Sequence, residues 1–225
     1  MPFGKNHLKD AELALFPFRP AIFTIVLKLQ FSKIKIKGLY MRKDFGAKAM
    51  LYPMPVLMVS TYDENGNPDI MNAAWGGIAD DTKINICLSP EHKTVKNIQA
   101  GSDFTVSMAT AKTVAACDYV GIVSGNDEPE KIKKSGFHFT KSQKVNAPLV
   151  EELPMVLECK TISFDVQNCR LFGEIVNVAA DESILSDGKI DVKKLDPVTY
   201  DSVNHKYIRL GDVVADAFKA GLALK

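Results

Sequence analysis

Two short inserts between apolar runs carry the residue types that could do chemistry. One is Asn72-Ala73-Ala74-Trp75-Gly76-Gly77, and the other is Ser89-Pro90-Glu91-His92-Lys93-Thr94. The second follows the strand-like run Ile84-Asn85-Ile86-Cys87-Leu88 and leads into Thr94-Val95-Lys96-Asn97-Ile98-Gln99, which reads as a helix start. A Thr at a helix entrance, preceded by His and Lys, is a natural anion seat. The first-turn amides are free, that end of a helix is partly positive, and the hydroxyl can donate. The first insert is made of small residues around the single Trp of the chain. Small side chains let backbone N–H and C=O groups approach the edge of a flat ring. Together the inserts point to a flat ligand that bears a phosphate.

Each residue also has a plainer reading. Asn72, Ala73 and Ala74 are then a strand end with small residues packed inside. Trp75 is a core or interface aromatic. Ser89, His92, Lys93 and Thr94 are a helix cap and solvated surface charge. Lys131, after an acidic loop, is an exposed helical lysine, and His138, between two Phe residues, is a packed or surface histidine.

Other chemistries find little support. No Gly-x-Ser-x-Gly and no nucleophile–base pair is apparent. The cysteines at 87, 117, 159 and 169 form no Cys-x-x-Cys pair and have no His at zinc-ligand spacing, so no metal site is expected. They read as buried or free thiols in a reducing cytoplasm, with a disulfide left open. A net charge of +1 supplies no basic field for nucleic acid.

The elements that must position these residues follow from periodicity and turn chemistry. With 225 residues, 46% hydrophobic and 24% charged, the composition is that of a protein with one sizeable domain. Pro55–Tyr62 reads as a strand, Asp63–Pro68 as a hairpin turn around Asn65-Gly66, and Asp69–Ala74 as the partner strand. Lys83–Leu88 and Asp103–Met108 give two more strands, with the helix between them ending near Gly101. Short helices are expected over 113–119 and 130–135, strands over 156–164 and 169–180, a last strand over 207–211, and an apolar helix over 215–224. Six or seven strands that do not alternate with helices argue for a closed or partly closed antiparallel barrel.

Residues 1–40 stand apart from the rest. The apolar stretch Ala21–Leu29 is interrupted by Thr24 and Lys28 and is too short to span a membrane. Phe31-Ser32-Lys33-Ile34 offers no signal-cleavage site. Met41-Arg42-Lys43-Asp44-Phe45-Gly46 looks like a fresh start. The division expected is an N-terminal extension over 1–40 and the main domain over 41–225, with a membrane-surface anchor as the alternative role for the extension.

Several motifs in order then carry a resemblance: Pro55-Val-Leu-Met-Val-Ser-Thr, Asn72-Ala-Ala-Trp75, Cys87-Leu-Ser-Pro-Glu-His-Lys-Thr94, Asp118-Tyr-Val-Gly121, Ser124-Gly125 and Tyr207-Ile-Arg-Leu-Gly211. From about Met41 to Lys225 the chain resembles the flavin reductase-like, FMN-binding split-barrel family, flavoredoxin branch. The resemblance implies a mainly β fold with short helices, an antiparallel split β-barrel of Greek-key type, and a homodimer with FMN near its interface. It implies an oxidoreductase that moves hydride from NADH or NADPH to bound flavin, or alternatively an electron carrier reduced by a redox protein partner. It places Asn72, Ala73, Ala74 and Trp75 beside the flavin ring, Ser89, His92, Lys93 and Thr94 at the phosphate, and Lys131 on the flavin side of the cleft. Where many relatives carry Arg two residues before the Thr, this chain has His92, a weaker and pH-dependent donor. Trp75, Lys131 and Tyr207 are the candidates nearest the reaction, with Asn204 and His205 facing substrate.

Overall fold

The computed structural model describes residues 42–225. The chain divides after Lys48, and the account that follows concerns the unit Ala49–Lys225. The extension expected over residues 1–40 lies outside the described residues.

The strands are β1 (Leu57–Tyr62), β2 (Pro68–Ala73), β3 (Gly76–Asp80), β4 (Lys83–Cys87), β5 (Phe104–Met108), β6 (Phe139–Lys141), β7 (Pro148–Val150), β8 (Met155–Asp165), β9 (Arg170–Ala180), β10 (Leu185–Ser186), β11 (Lys189–Ile190), β12 (Val198–Asp201) and β13 (Lys206–Arg209). The short helices are α1 (Lys93–Gln99), α2 (Val114–Ile122), α3 (Lys131–Ser135) and α4 (Val192–Leu195). Seven strands form one sheet in the order β2-β1-β5-β8-β9-β4-β3. Every pairing in it is antiparallel.

That order forces the sheet to curl. β2 and β3 are its opposite edges, yet only Ala74 and Trp75 separate them in the chain. Strands spaced about 4.8 Å apart would put the edges of a flat seven-stranded sheet about 29 Å apart. The chain from Ala73 to Gly76 spans at most about 11 Å. The edges must therefore swing round to meet at this link, which makes a half-closed barrel. The antiparallel split barrel read from the sequence is the fold found.

β1 is buried on both faces, in keeping with its apolar start Leu57-Met58-Val59, and Ser60 and Thr61 are buried with it. Leu57 and Val59 point into the barrel core with Ile86, Phe104, Val106 and the α1 residues Val95 and Ile98. Met58 faces the other way, into a second cluster with Ile70 and with Cys117 and Val120 of α2. A Cβ at Gly173 would lie 2.3 Å from Phe104 Cζ, so the largest fully buried side chain needs glycine on β9.

The β1–β2 turn forms as expected, with Gly66 at φ 79 and Asp63 Oδ1 accepting from the amides of Asn65 and Asn67. Three features differ from the sequence reading. β3 is a strand although Gly76-Gly77 reads as loop; a Cβ at Gly76 would sit 2.9 Å from the Asn85 carbonyl oxygen, so close strand approach demands glycine there. The ribbons β6-β7 and β10-β11, and β12 as the partner of the last strand, which forms as expected in β13, add short pairings that leave little periodic signal. The apolar helix expected over 215–224 is not formed beyond a 3-10 turn at Ala220–Leu224. Phe218 takes a left-handed φ of 63, and Val214, Phe218 and Leu224 are exposed, so no buried face rewards helix formation.

Candidate functional site

β2 lies along α2, and a groove runs between them. Its wider end, a cleft of about 300 Å³, is lined by Val56, Asn72, Ala73, Ala74, Asp118, Gly121, Ile122, Tyr200, His205 and Tyr207. Its narrower end, about 160 Å³, shares Gly121 and Ile122 and continues past Met71 to His92, Lys93, Thr94, Ser124, Gly125, Asp69 and Lys131. One end is thus walled by small and apolar side chains with a few polar groups, and the other by a helix entrance and a loop.

The wide end is shaped by Asn72. Its Nδ2 donates to the Cys117 carbonyl at 3.1 Å, tying β2 to α2. On the far side Tyr207 Oη donates to Asp118 Oδ1 at 2.6 Å. Burial first, and then that carboxylate, push the Tyr207 phenol well above its ordinary value, so it keeps its proton. Tyr200 completes this wall, its ring centroid 6.1 Å from that of Tyr207.

The narrow end is organised around a buried carboxylate. Asp69 is 2% exposed, Thr94 1% and Lys131 3%. Thr94 Oγ1 donates to Asp69 Oδ2 at 2.6 Å, and Lys131 Nζ lies 3.4 Å from Asp69 Oδ1. Burial drives the Lys131 ammonium below its ordinary value, and Asp69 opposes that shift. A Cβ at Gly125 would fall 2.5 Å from Asp69 Oδ1, so the loop after α2 can close over the carboxylate only with glycine there. His92 caps α1 through its backbone, and its imidazole is held below its ordinary value by burial and then by Lys131.

The structure gathers most of the residues singled out from the sequence. Asn72, Ala73, Ala74 and Tyr207 line the wide end, and His92, Lys93, Thr94 and Lys131 the narrow one. Trp75 and Ser89 do not line the groove. Trp75 sits on the link between the sheet edges, 56% exposed, and Ser89 is an exposed turn residue. Thr94 differs in one respect: its hydroxyl proton is already given to Asp69, so its own contribution toward the groove is its backbone N–H. Lys93 reaches back to Asp63 Oδ2 at 3.7 Å. Lys131 is a buried counter-charge rather than an exposed helical lysine. Asp69 and Tyr200 are the additions. A carboxylate entering a strand that is buried on one side must find a partner, and that rule was the only signal for Asp69.

The groove suits a flavin mononucleotide on the chemistry of its lining. Small residues at the wide end leave room for a ring, and Asn72, Asp118 and Tyr207 supply polar edges. The first-turn amides of α1, His92 and Lys93 supply donors for an anion at the other end. Asp69 does not spoil that end, because Thr94 and Lys131 already satisfy it. Among the described residues, no group of three or more His, Cys, Asp or Glu side chains is placed to hold a metal ion, and no helix is long and apolar enough to cross a membrane.

The chain belongs to the flavin reductase like domain family, whose model matches residues 49–202. Within that family it falls in the flavoredoxin branch. It is 38% identical to the flavoredoxin of Desulfovibrio vulgaris (Miyazaki F), with a TM-score of 0.77 over 80% of this chain and 100% of that one. It is 26% identical to a flavoredoxin from Methanosarcina acetivorans, with a TM-score of 0.71 over 83% of this chain and 100% of the other. The fold also matches the FMN-binding domain of a flavin reductases-like enzyme from Shewanella baltica OS155, at 21% identity and a TM-score of 0.65, over 72% and 88% of the two chains.

Proposed function

We propose that this chain is an FMN flavoprotein oxidoreductase that accepts hydride from NADH or NADPH and passes the electrons on. The observation that carries this is the single groove along β2 and α2, with a small-residue end for a ring and a donor-lined end for a phosphate. FMN, when bound, supplies the hydride chemistry. The chain's part is to hold and shield it. Asn72, Ala73 and Ala74 would lie along the ring. The amides of Lys93 and Thr94, with His92, would hold the phosphate, and Lys131 would supply positive charge below it. Tyr207 and Asp118 would close the far wall.

The purified protein should be yellow and should release FMN on denaturation. Mixed with NADH or NADPH without oxygen, its flavin band should bleach. A flavin band that survives both donors ends the hydride reading.

A second reading has its own support. The likeness to two flavoredoxins favours an electron carrier reduced by a redox protein without direct use of nicotinamide. The sequence also has no Gly-x-Gly-x-x-Gly loop. Slow bleaching by NAD(P)H together with rapid reduction by a reduced ferredoxin selects it.

Homodimer formation belongs to the same proposal. Trp75 and Ile78 at the sheet edge and Val176 and Val178 on β9 are exposed, more apolar surface than an isolated wall warrants. Sedimentation at micromolar concentration tests it, and a monomer would refute it.

A further inference from the structure

The far wall of the cleft holds a pair of groups that the reading above leaves idle. Tyr200 on β12 and His205 in the turn after it both line the wide end, and Tyr200 Oη lies 2.8 Å from His205 Nδ1. His205 is exposed to solvent, while Tyr200 is half-buried. The turn is built to hold His205 there. Its φ is 54, in the left-handed region that a non-glycine residue enters at a cost. Asp201 fixes the preceding residues by accepting from the amides of Val203 at 2.9 Å and Asn204 at 3.2 Å, and from Asn204 Nδ2 at 2.7 Å. The neighbouring phenol cannot take this role, because the Tyr207 O–H is committed to Asp118. The other titratable groups around the pair are Asp118 from α2 and Tyr207 from β13, with Asp201 inside the turn and the Tyr52 phenol donating to it.

We propose that Tyr200 and His205 form a proton relay from solvent into the cleft, serving acceptors whose reduction takes up a proton together with a hydride, such as quinones and other carbonyl-conjugated compounds. The proposal rests on the reading of the cleft as the seat of a flavin ring. Reduction of a quinone to its hydroquinone adds one hydride and one proton. The hydride comes from the reduced cofactor. The proton comes from Tyr200, whose O–H bond breaks as the new O–H bond on the acceptor forms. The His205 imidazolium passes its Nδ1 proton to the tyrosinate, is left neutral, and recovers a proton from water. An exposed imidazole linked to a half-buried phenol gives both a source and a delivery point, which is what general-acid transfer to a bound acceptor requires.

Two arms test this. The first needs no turnover: the His205 ring nitrogens are followed by 1H–15N NMR across a pH series in the cofactor-free chain. Tyr200→Phe, which keeps the ring and removes the hydroxyl, should shift both the His205 titration midpoint and its Nδ1 resonance. An unmoved imidazole overturns the relay. In the second arm, chain loaded with FMN and photoreduced is mixed with 2-methyl-1,4-naphthoquinone or with ferricyanide, which takes electrons but no proton. Tyr200→Phe and His205→Asn should each lower the ratio of quinone rate to ferricyanide rate by about 100-fold, the low end of general acid–base effects. Asn is chosen because it tolerates left-handed backbone. An unchanged ratio overturns the relay while leaving the cofactor reading intact. A wild-type chain that takes up no FMN overturns the cofactor reading, and the relay's purpose with it, even if the first arm finds the pair coupled.

Discussion

A methyl group at Gly121 would lie 2.2 Å from Asn72 Nδ2, so the α2 glycine and the β2 asparagine compete for the same space. Asn72 fills it and donates to the Cys117 carbonyl. Gly121→Ala should displace Asn72, break that hydrogen bond and cost about 1–3 kcal/mol, the range for overpacking. In an Asn72→Ala background the sign should reverse. The clash is then gone, and Ala in place of Gly inside a helix gains up to about 1 kcal/mol. Urea midpoints of the two singles and the double decide the point, and a Gly121→Ala cost that persists in the double contradicts it.

Asp69 links the groove's narrow end to the core, so its partners should be strongly coupled. Lys131→Met leaves the carboxylate buried without its counter-charge and should cost about 3–5 kcal/mol. Adding Asp69→Asn should recover much of that loss, read as a coupling energy in a double-mutant cycle. Thr94→Val removes the other donor to the same carboxylate and should cost about 1–3 kcal/mol, with FMN affinity falling as a consequence. Thr94→Ser should retain both. Equal behaviour of the Ser and Val variants would show that the hydroxyl is dispensable.

Acid sensitivity should concentrate in the turn that carries His205. The Tyr52 phenol first, and then the Asn204 side chain, hold the Asp201 carboxyl far below the usual carboxylate range. A carboxylate depressed in the folded state contributes stability that is fully present above its unfolded value, about pH 4, and is lost as pH falls toward the folded value. Asp201→Asn should therefore lower stability at pH 7 and flatten its decline below about pH 4. Parallel wild-type and variant curves in urea titrations at pH 7, 4 and 3 would exclude the mechanism.

The strands that fix the barrel were largely legible, and the residues that finish the site were less so. β1, the Asn65-Gly66 turn, β4 and the β8–β9 pair announce themselves through apolar pattern and turn chemistry. β3 does not, because Gly76 meets a close backbone neighbour that its sequence position cannot reveal. Asn72–Ala74 and His92–Thr94 mark the two ends of the groove in the sequence because their types suit a ring and an anion. The hydroxyl of Thr94 was misdirected, since its competitor Asp69 is 25 residues away and looks like an ordinary strand entrance. Tyr200 was invisible for a related reason. It lies on a four-residue strand held by its partners, β13 on one side and the distant Met54 and Pro55 on the other.

The cysteines should separate into two classes. Burial pushes the Cys117 thiol up to about 11 and the Cys159 thiol up to about 12, and both are buried. Cys87 and Cys169 are only half-buried. At neutral pH a thiol reagent should label Cys87 and Cys169 of the native protein and reach Cys117 and Cys159 only in denaturant. Native labelling of Cys159 would contradict the packing of Phe104 against β8 and β9.

The wide end of the groove draws one wall from β2 and α2 and the other from β12 and β13, which come some eighty residues later in the chain. During synthesis the early wall exists first as half a mould, with nothing opposite it. A chain halted before Arg209 would therefore keep the narrow end whole but lack the far side of the wide one.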